Sequence, residues 1–218
     1  MNGREFVAQL KAENERFLAK LDEAPPVASP GSSAGVLAGL LRIALKNEME
    51  AAEIAAAWVP STPELDAKVA LARHAGEEAR HYELLEEEVR ALGVSLEGFH
   101  PLDPPSPVLE YLRTLNSTVE RIAAALVARE AMGGRRNAQF LKFLDAVGQK
   151  EIAQLYREVI NPDEERHHRA GCEVLARLAT TPEAQEAARR AATRLLEIGE
   201  RARDALLAKT GAPVIPGC

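Results

Sequence analysis

We predict an all-α protein from three features of the sequence. Ala, Leu, Glu and Arg, which favour helices, are abundant. Aromatic residues make up only 4% of the chain and β-branched runs are few, which disfavours sheets. Clusters of Pro and Gly divide the chain into a few long segments of helical length. With 218 residues, the chain is long enough for one domain with a buried core.

The chain begins with a predicted amphipathic helix over residues 3–22, followed by a linker rich in Pro and Gly up to residue 31. Ser32 or Ser33 can cap the next segment, a long helix A that runs to about Val59. The Pro residues after it stop this helix. We therefore expect residues 1–31 to form an N-terminal helix and linker outside the main domain.

Helix B is predicted to start with Pro63 in its first turn and to end at Leu92. The Pro-rich stretch from Gly98 to Pro107 then forms a long crossover, since it contains too many residues for a tight turn. Helix C is predicted to begin near Val108 and to bend at Gly133-Gly134.

Helix D is predicted over about 149–178, with Pro162 inside it. Proline lacks an N–H donor and its ring crowds the carbonyl of Glu158, so we expect a kink or a π-bulge between Glu158 and Glu164. The alternative is a helix that begins at Pro162, with Asn161 as its N-cap.

The last predicted helix is charged and amphipathic, and it runs from Pro182 to Lys209. Four long helices with one extended connection between B and C are typical of the ferritin-like four-helix bundle. We expect residues 32–180 to form this bundle. Residues 181–218 are expected to pack on it as an additional C-terminal helix and tail.

Charge and hydropathy disfavour several classes of partner. The net charge of −6 gives no broad attraction to nucleic acid or to anionic membranes. The longest apolar region, 36–59, contains five charged residues, which a lipid-facing helix does not tolerate. The start of the chain lacks the apolar core of a signal peptide, and Cys172 and Cys218 are too few for a disulfide framework. We expect a soluble cytoplasmic protein without a membrane partner.

One pattern, [DE]-E-x-R-H, occurs twice, at residues 77–81 on helix B and at residues 163–167 on helix D. In each copy a Glu precedes a His by three residues, so both side chains lie on one helix face and can bind one metal ion together. A single Glu-x-x-His is weak evidence, because both residues are common on exposed helices. Two copies on separate long helices are stronger evidence for a metal site.

The faces of the helices select further acids. Glu78 lies on the apolar face of helix B, and a buried carboxylate costs several kcal/mol unless it is paired, hydrogen-bonded or bound to metal. The same criterion selects Glu48 on helix A, which is surrounded by Ala and Leu, whereas Glu50 is expected to be solvated. On helix C it favours Glu130, which follows an apolar face, and leaves Glu120, flanked by polar residues, as the alternative.

The complete candidate set has one Glu from each of two helices and one Glu-x-x-His pair from each of the other two. It consists of Glu48, Glu78, His81, Glu130, Glu164 and His167. This is the ligand set of di-iron and di-manganese carboxylate bundles. Four carboxylates can neutralise two divalent ions, and one imidazole per ion suits iron or manganese better than a closed zinc site. The expected cofactor is two iron ions, with manganese as the alternative.

Residues beside the ligands have two interpretations each. Asp163 and Glu77 directly precede a ligand Glu, and each is either a surface acid or the acceptor for the ring N–H of the histidine on the opposite helix. His74 and Tyr82 lie one turn from Glu78, and they either line a pocket at the metal site or belong to the core.

Other polar residues are expected outside the site. His168 points about 100° away from His167 on a helix, and His100 lies in the crossover, so neither is a candidate ligand. Arg135 and Arg136 are expected on a solvated face. The sequence contains no Cys-x-x-Cys pair, so an iron–thiolate centre is not expected.

At the candidate ligands the chain resembles the ferritin-like di-iron proteins, and more narrowly their oxygen-activating branches. NEMEA (47–51), EEARH (77–81), VARE (127–130) and DEERHH (163–168) occur in the order that this family uses. Residues 151–179 are similar to the last bundle helix of the tRNA hydroxylase that acts on 2-methylthio-isopentenyladenosine, and DExxH followed by Gly171 is similar to aldehyde-deformylating oxygenase. The resemblance covers roughly residues 35–180. It implies ligand roles for the six candidates and activation of O2 by a reduced di-iron centre.

The leading functional hypothesis is an O2-activating oxidase or hydroxylase that acts on a small-molecule substrate of unknown identity. Its electrons would come from an external donor, because the sequence contains no flavin or nicotinamide motif. One alternative is an iron-handling or peroxide-reducing ferritin-like protein. A second alternative, a metal-free helical interaction protein, leaves the core-facing acids unexplained. We expect a monomer or a small homo-oligomer.

Overall fold

The computed structural model describes residues 1–19, 33–210, 212 and 214–217, and all regular structure within these ranges is helical. The predicted all-α class is therefore confirmed. The α-helices are α1 (Gly3–Leu18), α2 (Ser33–Trp58), α3 (Leu65–Ala91), α4 (Pro107–Leu112), α5 (Thr118–Arg121), α6 (Glu130–Ala146), α7 (Lys150–Leu155), α8 (Asn161–Leu178) and α9 (Pro182–Thr210). None of these described helices has an apolar stretch long enough to cross a membrane.

The four predicted long helices correspond to these elements. Helix A is α2 and helix B is α3. Helix C consists of α5, a π-helical segment (Ile122–Arg129) and α6. Helix D consists of α7, a second π-helical segment (Tyr156–Ile160) and α8. The predicted linker and the cap at Ser32 lie outside the described residues.

Helix D confirms the prediction made from Pro162. The chain is helical from Lys150 to Leu178, and its π-helical segment ends directly before Asn161. The irregularity begins at Tyr156, two residues before the predicted interval. The alternative, a helix that begins at Pro162, is wrong.

The start of helix C differs from the prediction. The residues after the crossover form the separate helix α4, and helix C begins at Thr118 instead of near Val108. Ser117 and Glu120 set this start, because the Ser117 side chain accepts the backbone N–H of Glu120 and the Glu120 carboxylate accepts the N–H of Ser117.

One smaller prediction about a helix end also needs correction. Helix B begins at Leu65 with Glu64 as its N-cap, so Pro63 precedes the helix and does not lie in its first turn. Helix α6 continues through Gly133 and Gly134, where a bend was predicted. The irregularity of helix C lies earlier, in its π-helical segment.

The apolar interior has two parts, with polar residues between them. Apolar cluster 1 includes Trp58, Leu71, Leu126 and Leu175, and α1, α4 and α9 pack against it. Apolar cluster 2 includes Leu41, Leu85, Phe140 and Tyr156. Helices A and D pass from cluster 2 to cluster 1 along the sequence, whereas helices B and C pass from cluster 1 to cluster 2. Helices B and C therefore run in the same direction, and the long crossover has to return between their opposite ends.

Three arginines link the terminal helices α1 and α9 to α6 and to each other. Arg136 of α6 is buried and donates a hydrogen bond to the carbonyl of Gly199 in α9 at 2.8 Å, so its predicted place on a solvated face is wrong. Arg135 pairs with Glu15 of α1. The guanidinium of Arg189 in α9 lies 5.4 Å from the ring centroid of Phe6 in α1, within the range of a cation–π contact.

Candidate metal centre

The structure brings the six predicted side chains together between the two apolar clusters. The relative exposures of Glu48, Glu78, Glu130 and Glu164 are 0%, 0%, 2% and 2%. Two groups of ligand atoms form, and within each group all atoms lie within 4.8 Å of one another. One group contains His74, Glu78, Glu130 and His167, and the other contains Glu48, Glu78, His81 and Glu164. Glu78 belongs to both groups, so it lies where a bridging carboxylate would lie.

Both Glu-x-x-His pairs turn the same ring nitrogen towards the carboxylates. Nδ1 of His81 lies 3.4 Å from Glu78, 3.5 Å from Glu48 and 3.8 Å from Glu164. Nδ1 of His167 lies 3.0 Å from Glu78 and 3.8 Å from Glu130. Each histidine thus meets acids from at least two helices.

The opposite ring nitrogens bind the two acids that precede the ligand glutamates. Nε2–H of His81 donates to Asp163 at 3.0 Å, and Nε2–H of His167 donates to Glu77 at 2.6 Å. Arg166 pairs with both of these acids. Of the two interpretations, the structure shows the one in which each acid holds the histidine of the opposite helix. A proton fixed on Nε2 leaves Nδ1 free to bind a metal ion.

His74 is the residue of the site that sequence reasoning did not select. Its Nε2 lies 3.0 Å from Glu78 and 3.0 Å from Glu130. The signal was its spacing, because His74 is four residues before Glu78 and so shares the face of Glu78 and His81. Tyr82, the other residue with two interpretations, donates a hydrogen bond to Glu86 and packs against apolar cluster 2.

Protonation is strongly perturbed in the absence of cations. Burial raises the pKa of Glu48 and of Glu164 well above the usual range, and the negative charge of Glu78 adds to both shifts. Burial alone would lower the pKa of His81, but the nearby carboxylates of Glu48 and Glu78 outweigh it and raise the pKa to about 12. By the same balance, the nearby carboxylates of Glu78 and Glu130 raise the pKa of His167 to about 9. Glu48 and Glu164 therefore favour their protonated forms, whereas the histidines around Glu78 outweigh its burial and hold its pKa well below the usual range.

The residues present fit a pair of divalent cations. Both carboxylate oxygens of Glu48 and of Glu164, and Nδ1 of His81 and of His167, are buried without a hydrogen bond of regular geometry. Each such atom costs about 1–3 kcal/mol if it stays unsatisfied. Two cations among these atoms would bind them and would balance the four carboxylate charges.

Two acids considered from the sequence lie elsewhere. Glu120 is a capping residue at the start of helix C, and it belongs to neither group of candidate ligands. Glu50 is buried, so its predicted solvation is wrong. It accepts hydrogen bonds from the backbone N–H and the hydroxyl of Ser106 at 2.8 and 2.5 Å, and its carboxylate lies 2.9 Å from Lys46. Glu50 therefore fastens the end of the crossover to helix A.

Two pockets reach the candidate centre. The larger, of about 1100 Å³, lies between α1, α6 and α8 and is lined by Glu130, Glu164, His168 and Cys172. His168 belongs to the wall of this pocket, where Nδ1–H donates to the carbonyl of Val127. The smaller, of about 210 Å³, is lined by residues that include His74, Glu77 and His167. Residues of the centre thus line a pocket on each of two sides.

Comparison of the chain with protein-family models, with curated proteins and with solved structures finds no match in any of the three. The function of the centre is therefore inferred from its own residues and their geometry.

Proposed function

We propose that the chain is a ferritin-like binuclear metal protein that activates O2 to oxidise or hydroxylate a small organic substrate. The observation that carries the proposal is the buried group formed by Glu48, Glu78, His81, Glu130, Glu164 and His167, with Glu78 shared between its two halves. Such a set, one Glu from each of two helices and Glu-x-x-His from each of two others, is the one used by di-iron and di-manganese bundles.

The directions of the four helices support the ferritin-like part of the proposal. Helices A and D run one way and helices B and C the other, with the long connection between B and C. A ferritin-like bundle has one such crossover, whereas a simple up-and-down bundle has short loops throughout.

Each residue has a definite role in this proposal. Glu48, His81 and Glu164 would hold one ion, Glu130 and His167 would hold the other, and Glu78 would contribute to both. Two bound iron ions, or manganese as the alternative, would supply the redox chemistry for O2 reduction, with electrons from an external donor. The candidate ligands lie between apolar clusters 1 and 2, which exclude water from both ends of the site.

The position of the larger pocket favours an organic substrate over iron storage. It reaches Glu130 and Glu164 and has small side chains, Ala131 and Gly134, on its α6 wall. A volume of about 1100 Å³ exceeds what O2 or an iron ion needs and lies just above the usual range for small-molecule sites. An organic molecule in this pocket would lie next to two of the ligands.

The decisive experiment is metal loading. Purified apoprotein should bind about two Fe(II) ions per chain under anaerobic conditions and should then consume O2. Glu48→Ala should lower the metal content while the helical fold persists. Glu53→Ala, an exposed acid on the same helix, should keep the full complement. Absence of metal binding by the wild type overturns the proposal, and many iron atoms per chain in a large shell on sedimentation would establish storage instead.

A further inference from the structure

We propose that His74 is a third histidine ligand, so that the two metal positions differ in chemistry. The position formed by His74, His167, Glu78 and Glu130 is rich in nitrogen, and the position formed by His81, Glu48, Glu78 and Glu164 is rich in oxygen. This inference rests on the proposed function only in requiring that the centre binds metal.

The geometry of His74 matches that of a ligand. Its side chain is 2% exposed, and its Nε2 lies 3.0 Å from carboxylate oxygens of two different helices, Glu78 of B and Glu130 of C. Nδ1 of His81, which faces the candidate ligand glutamates, comes no closer than 3.4 Å to any of them. His74 is therefore at least as close to the carboxylates as a histidine of the Glu-x-x-His pairs.

The rings of His74 and His167 converge on the same space. Their centroids are 4.6 Å apart and the rings meet edge-on at 86°. Nε2 of His74 and Nδ1 of His167 both lie 3.0 Å from Oε1 of Glu78. Two imidazole nitrogens from different helices thus face one oxygen of Glu78. Together with Glu78 and Glu130, they would be the protein ligands of one metal ion.

The competing role for His74 is that of a hydrogen-bond donor. One Nε2–H would then be shared between Glu78 and Glu130. Nδ1 of His74 is buried without a hydrogen bond, so no acceptor fixes its tautomer as Asp163 fixes that of His81. A substitution can distinguish these two roles of His74. The new side chain has to donate a hydrogen bond, as glutamine does, but lack the imidazole nitrogen that would bind the metal ion.

Unequal donor sets predict unequal metal preferences. Imidazole favours later first-row ions such as Co²⁺, whereas carboxylate oxygens suit Mn²⁺. The position with His74 and His167 should therefore bind Co²⁺ before the position with His81, and with higher affinity. For Mn²⁺ the two positions should differ less. One chain could then hold two different metals in a defined order.

The test is calorimetric titration of the full-length apoprotein with Co²⁺ and, separately, with Mn²⁺. Wild type should bind two Co²⁺ ions in two resolved steps. His74→Ala and His74→Gln should each weaken the tighter Co²⁺ step at least tenfold and change the visible absorption of bound Co²⁺. Mn²⁺ affinity should fall less. His100→Gln is the matched control, since this exposed histidine lies in the crossover, outside both groups of candidate ligands, and should leave both steps unchanged.

The outcomes separate the two proposals. If wild type binds two ions and His74→Gln retains both steps at wild-type affinity, His74 is only a donor and the inference is wrong while the proposed function stands. If wild type binds neither Co²⁺ nor Mn²⁺, both proposals fail. Circular dichroism checks the fold of each variant. Should His74→Ala fail to fold, His74→Gln, which keeps a polar group of similar size, decides the question.

Discussion

Gly171→Ala tests how closely helices C and D must approach to form the centre. Gly171 lies in α8, one turn after His167, against the π-helical segment of helix C. A Cβ at this position would lie 2.5 Å from Cβ of Leu126, 2.8 Å from its carbonyl oxygen and 2.9 Å from its carbonyl carbon. Because two of these contacts are with backbone atoms, a side-chain rotation of Leu126 cannot remove them.

The size of the effect follows from these distances. Ordinary contact begins near 3.4 Å, so the two helices have to separate by about 0.5–0.9 Å. Overpacking of this kind costs about 1–3 kcal/mol. Replacing Gly by Ala in a helix also contributes about 0.5–1 kcal/mol of stability, which partly hides that cost. A control with the same gain is therefore needed.

Gly76→Ala supplies this control. Gly76 lies in the interior of helix B, is exposed, and has no atom within 4 Å of the position of an added Cβ. Urea unfolding of the apoproteins, followed by circular dichroism, should show Gly76→Ala slightly more stable than wild type. Gly171→Ala should be less stable than Gly76→Ala by about 1–3 kcal/mol, and it should also bind metal more weakly, because its shift moves Glu130 away from His167.

Equal stability of the two alanine variants would refute this reasoning. It would show that the backbone of helix C can move at Leu126 without loss of stability, and that the π-helical segment is not tightly packed. Unchanged metal affinity in a destabilised Gly171→Ala would refute only the link between helix separation and ligand geometry.

Three further predictions concern single acids. Glu130→Gln should lower the metal content, which elemental analysis measures. Glu120→Gln should keep the metal content and lower only the free energy of unfolding, by about 0.5–1 kcal/mol, because it weakens a helix cap. The reverse result would exchange the roles of these two acids. Asp163→Asn should weaken metal affinity about 10–100-fold in a chelator competition, because the His81 ring loses its charged acceptor, and an unchanged affinity would make that contact incidental. Glu50→Ala should lower the free energy of unfolding by about 1–3 kcal/mol without changing metal affinity; a loss of metal would contradict its role as a fastener of the crossover.

The candidate ligands on helices B and D could be selected from the sequence because their geometry is local. A Glu and a His three residues apart share a helix face whatever surrounds the helix, and the repeat of the pattern made chance less plausible. The buried acid on helix A could be predicted for a similar reason, since Glu48 is surrounded by Ala and Leu in sequence and therefore lies on an apolar face. Pro162 predicted the irregularity of helix D because its cost in a regular helix is large.

Features that depend on distant residues could not be predicted in this way. Glu50 is buried because the N–H and hydroxyl of Ser106, 56 residues later, satisfy it. His74 joins the centre because Glu130 of another helix faces it, and a lone histidine on an apolar face does not indicate which residue it will meet. The start of helix C is different, since the Ser117-x-x-Glu120 capping box was a visible signal that the apolar pattern obscured.

Helix C also shows that a selection made from the apolar pattern can rest on incomplete reasoning. Glu130 was favoured because apolar residues precede it at helical spacing, yet every residue from Ile122 to Arg129 is buried, so burial does not distinguish one face of this segment. A π-helical turn contains more residues than an α-helical turn, and one extra residue rotates everything after it by about 100°. The face on which Glu130 lies is therefore set by the length of the π-helical segment as well as by the apolar pattern.

The complete burial of that segment assigns a structural role to the last helix. Leu126 and Val127 belong to apolar cluster 1, and so do Ala188, Ala192 and Leu195 of α9. Helix α8 covers one side of the segment at Gly171, and α9 covers another side that would otherwise face solvent. A π-helical turn has poorer intrinsic stability than an α-helical one and persists where packing holds it. The helix expected as an addition to the bundle thus helps to hold the backbone irregularity directly before Glu130, and so the position of a candidate ligand.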